Sequence, residues 1–301
     1  MSVSTTLVCR ERRSVGMDRA RDYVELVRPK IAALSLATVV AGAVIASWGM
    51  PHPVVLVHTL LAVALLTASA SALNQYLEWR SDARMPRTAN RPLPTGRLNR
   101  QEVLFLGLLL GGVAIFWLAL AVNLRTALLG GVTWTLYVWI YTPLKSRTTL
   151  NTAVGALAGA LPIWIGWSAA GGVFGVEAAT LLVMLYLWQF PHFMAIAWLY
   201  REDYAAAGLK MLPAVEPSGE SAGWQALVAS IALLTVSVAP CLWALGGSVY
   251  LLGALGLGLL YVAASARFLY ARDELHARQL LRVSLVYLPA VLGLLVIARV
   301  C

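Results

Sequence analysis

The sequence predicts an all-α membrane protein in which nine transmembrane helices surround a central cavity that opens at the cytoplasmic face. Of the 301 residues, 60% are hydrophobic and only 12% are charged, which is too apolar for a soluble domain of this size. A helical span needs about 20 mostly apolar residues. Nine runs approach this length, at residues 31–49, 54–77, 102–122, 125–142, 152–171, 177–200, 224–244, 247–270 and 280–299.

The distribution of Lys and Arg predicts how these spans are oriented. Of the 23 basic residues, 21 lie before the first run or in every second connection, and only Arg125 and Arg299 fall on the other side. Cytoplasmic loops are enriched in Lys and Arg, so we expect a cytoplasmic N-terminus and a C-terminus on the outer side. This topology explains the positive charge without nucleic acid, and anionic membrane lipid is a natural secondary partner.

The N-terminal residues differ from the rest of the chain. Residues 1–17 are predicted to be a disordered leader, with either Met1 or Met17 as the start, and residues 18–301 form a single polytopic domain. The first apolar run is long and lacks an evident cleavage site, which favours a retained helix over a signal peptide. The cysteines lack metal-site spacing and are predicted to be unpaired: Cys9, Cys241 and Cys301.

The most charged stretch of the chain follows the second run. Asn74, Glu78 and Asp82 are four residues apart, so on a helix they share one face. Carboxylates at a membrane boundary need a positive partner, either a metal ion or nearby arginines. Arg87 and Arg91 follow closely enough to contact an anion there. Mg²⁺ usually binds one or two carboxylates plus phosphate oxygens, so the stretch suits a metal-bound diphosphate; the alternative is a solvated helix end.

A second acidic pair, Glu202 and Asp203, follows the sixth run. Adjacent helical residues point about 100° apart, so we expect only one of them, Asp203, to face a shared ligand. The alternative is that Arg201 and Asp203 cap the sixth helix at the water boundary. The connections that carry these two acidic motifs are similar. This similarity suggests that the chain has two similar halves, each of which contributes one polar loop to a common cavity.

Basic residues also end the fourth run, where Tyr141 is followed by Lys145 and Arg147. Alone, the two cations would be explained by membrane topology. Beside two acid-bearing loops on the same side, they become candidate clamps for a diphosphate, with Tyr141 at the rim of the cavity.

The sixth run contains His192, which follows Pro191 and lies four residues after Trp188. It is the one histidine well inside a predicted span. An imidazole there can contact a substrate or ligate iron; the alternative is a hydrogen bond between helices.

Together and in this order, these motifs resemble the intramembrane aromatic prenyltransferase superfamily, and within it the protohaem IX farnesyltransferase (haem O synthase) branch. The resemblance runs from about Asp22 through the ninth predicted helix. It rests on Asp22-Tyr23 with Arg28-Pro29-Lys30 and on residues 74–92, 141–151, 188–193 and 200–213.

The resemblance implies a Mg²⁺-dependent prenyltransferase of the bacterial inner membrane. Such an enzyme transfers the farnesyl group of farnesyl diphosphate to a vinyl group of haem b, with addition of water, to give haem O, a precursor of haem in terminal oxidases. A downstream haem-modifying enzyme is a candidate partner. Asn74 and the three carboxylates match its acidic motifs, so we expect Glu78, Asp82 and Asp203 to bind Mg²⁺. The expected diphosphate contacts are Arg87, Arg91, Lys145, Arg147 and Arg201. The expected haem or acceptor contacts are Tyr141, Trp188 and His192.

The chain departs from the wider superfamily at two positions. Glu78 stands where many relatives have Asp, and Ala207 occupies the position of a second acid in the second motif. Alternative hypotheses keep the prenyltransferase chemistry but change the acceptor to a quinone precursor or a chlorin. A polytopic transporter and a structural assembly factor are further alternatives. The one-sided clustering of the charged residues disfavours a transporter, and an assembly factor leaves the paired acids and arginines unexplained.

Overall fold

The computed structural model describes residues 19–243 and 247–300, and over these residues the chain is helical without any strand. This confirms the predicted all-α class. The predicted leader, Cys9 and Cys301 lie outside the described residues. Cys241 is a free thiol, as expected.

The first part of the chain forms a short helix followed by long apolar ones. Here α1 covers residues 19–27. The following elements are α2 (Pro29–Ala46), α3 (Pro53–Asp82), α4 (Arg100–Ala121), α5 (Leu124–Thr135), a π-helical segment (Leu136–Tyr141), α6 (Thr142–Leu144), α7 (Asn151–Ala160) and α8 (Pro162–Ala169).

The second part repeats the alternation of long helices with short polar connections. Its elements are α9 (Val176–Leu199), α10 (Arg201–Ala206), α11 (Leu212–Val215), α12 (Glu220–Val238), a 3₁₀ segment (Ala239–Trp243), α13 (Ser248–Ala271) and α14 (Glu274–Val300).

Eight helical stretches of the described residues are long and apolar enough to cross a membrane. They correspond to every predicted span except 125–142. That run is also helical, but its helix is divided into α5, the π-helical segment and α6. The multi-pass architecture therefore agrees with the sequence, and a ninth span stays a prediction.

Close backbone packing joins α2 to α8 within the first part of the chain. A Cβ atom added to Gly42 would collide with the carbonyl oxygen of Ile163, and one added to Gly166 would collide with that of Val39. Small residues allow helix backbones to approach in this way. Helix α2 also contacts α3 and α14. The first and last long helices are therefore neighbours.

The largest apolar core lies among α9, α12, α13 and α14 and buries Tyr261, Phe268 and Tyr287. Large apolar side chains also face outwards, as with Phe105 and Phe116 on α4. Exposed apolar surface of this kind suits a lipid environment.

Polar contacts fix α1 against the connection between α3 and α4. Asp22, which is 6% exposed, lies 2.5 Å from Nη1 of Arg97. Nε2 of Gln75 donates to the carbonyl oxygen of Leu26 at 2.8 Å. These contacts hold the chain immediately before α2 next to the end of α3.

Candidate active site

A polar cavity of about 160 Å³ lies at the end of α3, where the charged connections meet. Its lining includes seven of the residues predicted from sequence, namely Asn74, Glu78, Asp82, Arg87, Arg91, Tyr141 and Lys145. The remaining lining residues are Arg28, Met85, Thr88, Tyr137, Tyr204, Leu209 and Met211. Residues from both polar loops thus reach one cavity, which we call the acidic cavity.

The three motif residues of α3 face this cavity, as their four-residue spacing predicts. Asn74 and Asp82 are each 1% exposed. Nδ2 of Asn74 donates to Oγ1 of Thr142 at 3.1 Å. This bond joins the first polar motif to the helix that leads to Lys145.

Each carboxylate of this motif has a cationic partner. Oε1 of Glu78 lies 2.9 Å from Nζ of Lys145, and Oδ2 of Asp82 lies 2.6 Å from Nη1 of Arg91. Both pairs are largely buried, and a buried charge is tolerated only when it is paired. The acids and the predicted diphosphate-binding cations therefore neutralise one another in this structure.

The surroundings shift the pKa of both cations. Burial alone lowers the pKa of Lys145, but the Glu78 carboxylate raises it, and the resulting pKa lies above the usual lysine value. The pKa of Arg91 is lowered by burial and by the charge of Arg28, although Asp82 opposes this change. The carboxylates thus favour the charged form of each partner.

Arg28 is a cavity residue that the sequence reasoning assigned no role. Its Nη2 atom is buried and has no hydrogen-bond partner among the described residues. The backbone of Arg28 is left-handed, with a φ of 50°, directly before Pro29. Buried guanidinium nitrogens are normally paired, so this atom is a candidate donor to an anionic ligand. The available sequence signal was a cation at the very start of the first span.

The second polar loop contributes a tyrosine to the cavity in place of its acids. Tyr204 lines the cavity, and its hydroxyl lies 3.5 Å from Nη2 of Arg87. The guanidinium of Arg87 also lies 4.5 Å from the ring centre of Tyr200. Arg87 therefore connects the two loops that the sequence predicted to share one cavity.

Three of the predicted metal-binding and diphosphate-binding residues do not line the cavity. Asp203 makes no side-chain hydrogen bond or ion pair with the described residues. Arg201 donates to the carbonyl oxygen of Trp198 at 2.9 Å and pairs with Glu202 at 3.4 Å, which matches its alternative role at a helix end. Arg147 is exposed. Across residues 19–243 and 247–300, no group of three His, Cys, Asp or Glu side chains is close enough to hold a metal ion.

Backbone contacts bring a third connection to the same place. The backbone N–H of Lys210 donates to the carbonyl oxygen of Lys145 at 2.5 Å. Nδ2 of Asn151 donates to the carbonyl oxygen of Lys210 at 2.9 Å. The connection after α6 and the connection before α11 are thereby held side by side.

The predicted acceptor residues Trp188 and His192 lie outside the lining of the acidic cavity. Their rings stack with centres 5.0 Å apart and an angle of 21° between planes. Nδ1 of His192 lies 2.8 Å from Oγ of Ser284 on α14, and Nε1 of Trp188 donates to the carbonyl oxygen of Ser284 at 2.8 Å. His192 thus makes the interhelical hydrogen bond that was its alternative role.

Some known proteins are similar to this chain in sequence, and others are similar to it in fold. The UbiA prenyltransferase family matches residues 35–288. This chain belongs to the UbiA prenyltransferase family. Protoheme IX farnesyltransferase of Solibacter usitatus is 40% identical over 291 residues, which cover 93% of this chain and 99% of the relative. Protoheme IX farnesyltransferase of Rhodopirellula baltica is 43% identical over 279 residues, which cover 89% of this chain and 96% of the relative.

Solved UbiA-type structures confirm the fold of this family member. A digeranylgeranylglyceryl phosphate synthase has a TM-score of 0.80 at 16% identity, covering 94% of this chain and 99% of the synthase. A UbiA homologue from Archaeoglobus fulgidus bound to GPP and Mg²⁺ has a TM-score of 0.67 at 18% identity, covering 91% of this chain and 99% of the homologue. The predicted superfamily and its haem-prenylating branch are therefore confirmed, and the chain is a prenyltransferase.

Proposed function

We propose that this UbiA-family enzyme transfers the farnesyl group of farnesyl diphosphate to a vinyl group of haem b, with addition of water, to give haem O. The observation that carries this proposal is the match to protoheme IX farnesyltransferases, which are 38–43% identical over about nine tenths of the chain. The acidic cavity supports it, because its residues suit a diphosphate.

Four cationic side chains line the acidic cavity and are proposed to bind the diphosphate: Arg28, Arg87, Arg91 and Lys145. Charge-assisted hydrogen bonds from such groups are the strongest that proteins make to phosphate oxygens. Nη2 of Arg28, which has no hydrogen-bond partner among the described residues, is available to donate to a phosphate oxygen. Arg147 and Arg201 stay predicted contacts, and each would need a different side-chain conformation to reach the cavity.

Mg²⁺ fits the acidic cavity, and we propose that Glu78 and Asp82 hold it. Both offer hard oxygen ligands from one helix face, and the Glu78 carboxylate is buried with Lys145 as its partner. Two carboxylates suffice, because Mg²⁺ takes its other ligands from phosphate and water. Asp203 is proposed as a further ligand from the second loop. When bound, Mg²⁺ would neutralise charge that develops on the departing diphosphate.

The ion pairs of the acidic cavity are proposed to prepare its residues for this role. Glu78 is paired with Lys145, and Asp82 is paired with Arg91. When substrate enters, the carboxylates are proposed to turn to the metal ion and the cations to phosphate oxygens. The exchange conserves the number of opposite-charge contacts, so the cavity keeps its charges partnered both with and without substrate.

The proposed reaction breaks the bond between C1 of the farnesyl chain and the diphosphate oxygen, and the electron pair leaves with the diphosphate. The haem vinyl group supplies two electrons for the new carbon–carbon bond to C1. Water then adds to the carbocation next to the ring and loses a proton, which gives a hydroxyethylfarnesyl substituent. Tyr137, Tyr141 and Tyr204 line the cavity, and their ring faces are proposed to stabilise the allylic cation. Met85, Leu209 and Met211 also line it and are proposed to limit access of water to the cation.

Trp188 and His192 are proposed to contact haem b within the membrane part of the fold. We propose that the enzyme lies in the bacterial inner membrane with its N-terminus and the acidic cavity on the cytoplasmic side. Surrounding lipid would hold both apolar substrates near the protein, and haem O would pass to a haem-modifying enzyme.

The direct test incubates the purified full-length protein in lipid nanodiscs with haem b, farnesyl diphosphate and Mg²⁺. We expect haem O, detected by chromatography with mass detection, and no haem O when EDTA replaces Mg²⁺. Parallel reactions replace haem b with a chlorin or with a quinone-precursor aromatic acid. Farnesylation of either compound without haem O formation would show that the acceptor is wrong and leave the prenyltransferase class intact.

A further inference from the structure

A buried hydrogen-bond chain connects His192 on α9 to α14 through Ser284. Ser284 is 0% exposed, and its hydroxyl oxygen contacts two groups. One is Nδ1 of His192 at 2.8 Å, and the other is the carbonyl oxygen of Leu281 at 2.6 Å. The proposed diphosphate chemistry does not involve these hydrogen bonds.

One assignment of protons satisfies both contacts of the Ser284 hydroxyl. A serine hydroxyl has one hydrogen to donate, and a carbonyl oxygen only accepts. In this assignment the Ser284 hydroxyl donates to the carbonyl oxygen of Leu281, and its oxygen accepts from Nδ1–H of His192. In the neutral imidazole the other nitrogen, Nε2, then has a free lone pair. Among the described residues Nε2 has no hydrogen-bond partner.

The same serine also fixes the plane of the imidazole ring. Its carbonyl oxygen accepts from Nε1 of Trp188, and the Trp188 ring stacks on His192. The carbonyl oxygen of Trp188 in turn accepts from the hydroxyl of buried Tyr261 on α13. Contacts from α9, α13 and α14 thus restrain the imidazole ring of His192. A single hydrogen bond between two helices would not need all of them.

We propose that Ser284 is a positioning residue that holds His192 as the Nδ1–H tautomer, so that Nε2 ligates the iron of the tetrapyrrole substrate. Histidines that bind metals through one nitrogen usually donate the other N–H to a fixed acceptor, which sets ring orientation and increases ligand basicity. Ser284 supplies that acceptor here. The iron is part of the substrate, so this inference rests on haem b being the acceptor molecule.

The tautomer can be tested without substrate. Full-length protein with ¹⁵N-labelled histidine is placed in nanodiscs, and its nitrogen resonances are assigned by their loss in His192→Gln. We expect a protonated Nδ1 and an unprotonated Nε2 for His192, and loss of this single tautomer in Ser284→Ala. Ser265→Ala is the matched control, because Ser265 is equally buried on α13 and its hydroxyl has no hydrogen-bond partner in the described part of the chain. A protonated, neutral-form Nε2 in the unaltered protein would overturn the proposal.

The iron contact is tested with ferrous haem b and resonance Raman spectroscopy. We expect an iron–histidine stretching band that is absent in His192→Gln and moves to lower frequency in Ser284→Ala. Ser284→Thr keeps the hydroxyl and should retain the original frequency. Haem affinity should fall roughly tenfold to a hundredfold in Ser284→Ala, the usual effect of removing the partner of a ligating histidine.

The outcomes separate this inference from the proposed function. Haem O formation without an iron–histidine band, or an unchanged band in Ser284→Ala, overturns the role of Ser284 and leaves the farnesyl transfer in place. An iron–histidine band that behaves as expected, in a protein that binds haem b but never forms haem O, supports the role of Ser284 and removes the proposed reaction.

Discussion

The two acid-bearing loops of this enzyme differ in how they present their charges. In the first loop the acids lie one helical turn apart at the end of the 30-residue helix α3, and both face the acidic cavity. In the second loop the acids are adjacent on the six-residue helix α10, and the cavity receives Tyr204 instead. Regular spacing on a long helix thus defined a common face, whereas adjacent acids on a short helix left their directions to tertiary structure.

Asp82→Asn tests the role of the first loop most directly. This variant removes a proposed metal ligand and the partner of buried Arg91, so kcat should fall on the order of a hundredfold to a thousandfold, as when one preorganised electrostatic group is lost. Haem O formation measured at saturating substrates gives the result. Glu202→Gln is the matched control from the second loop, since Glu202 is 88% exposed, and it should stay near the original rate. Equal rates for the two variants would contradict the assignment of Asp82.

Arg28→Ala tests whether the cavity binds its anion through a residue outside both loops. A hydrogen bond to a charged group is worth about 1.5–3 kcal/mol, so KM for farnesyl diphosphate should rise roughly tenfold to a hundredfold with a smaller change in kcat. Arg84→Ala removes an exposed arginine that does not line the cavity. An unchanged KM in Arg28→Ala, or the same rise in Arg84→Ala, would argue against a specific diphosphate contact at Arg28.

Asp203→Asn sharpens the contrast between the loops. If Asp203 assists the metal from the second loop, the variant should require about tenfold more Mg²⁺ for half-maximal rate and lose less kcat than Asp82→Asn. Magnesium titration of both variants checks the order of the two effects. An unchanged Mg²⁺ requirement would leave Asp203 as a helix-end residue.

The smallest expected effect concerns pH. The raised pKa of Lys145 means that its charge, and the stability it gives the ion pair with Glu78, is fully present below the unfolded lysine pKa of about 10.4 and is lost only as pH rises through the higher folded value. KM for farnesyl diphosphate should therefore stay flat from about pH 7 to about pH 10. A rise in KM below this limit that disappears in Lys145→Met would contradict the raised pKa.

Periodicity and charge predicted much of this molecule, because both are local properties of the chain. The eight long helices follow from apolar runs, and the common face of Asn74, Glu78 and Asp82 follows from helical geometry. The sequence did not reveal the pairing of Glu78 with Lys145, since that depends on how α3 packs against a distant helix. The place of Arg28 in the cavity was not predicted, because the direction of its side chain depends on a left-handed backbone conformation that the sequence does not indicate.

The second motif and the histidine show a different limit. The direction of Asp203 is set by where α10 begins after α9, and a change of one residue there turns a side chain by about 100°. The environment of His192 depends on Ser284, which is 92 residues away in the chain. An isolated serine in an apolar span carries no signal of its own, so only the packing of α9 against α14 revealed it.

The π-helical segment Leu136–Tyr141 acts as a phase shift in the helix that leads to Lys145. The N–H of Thr142 bonds to the carbonyl oxygen of Tyr137, five residues back, where an α-helix would use the fourth. One extra residue is thereby accommodated without ending the helix. Deleting one residue here would restore the regular helical ladder and rotate everything after it by about 100°, which would turn Lys145 away from Glu78. The irregular turn thus gives up some helical regularity so that this cation faces the acids of α3.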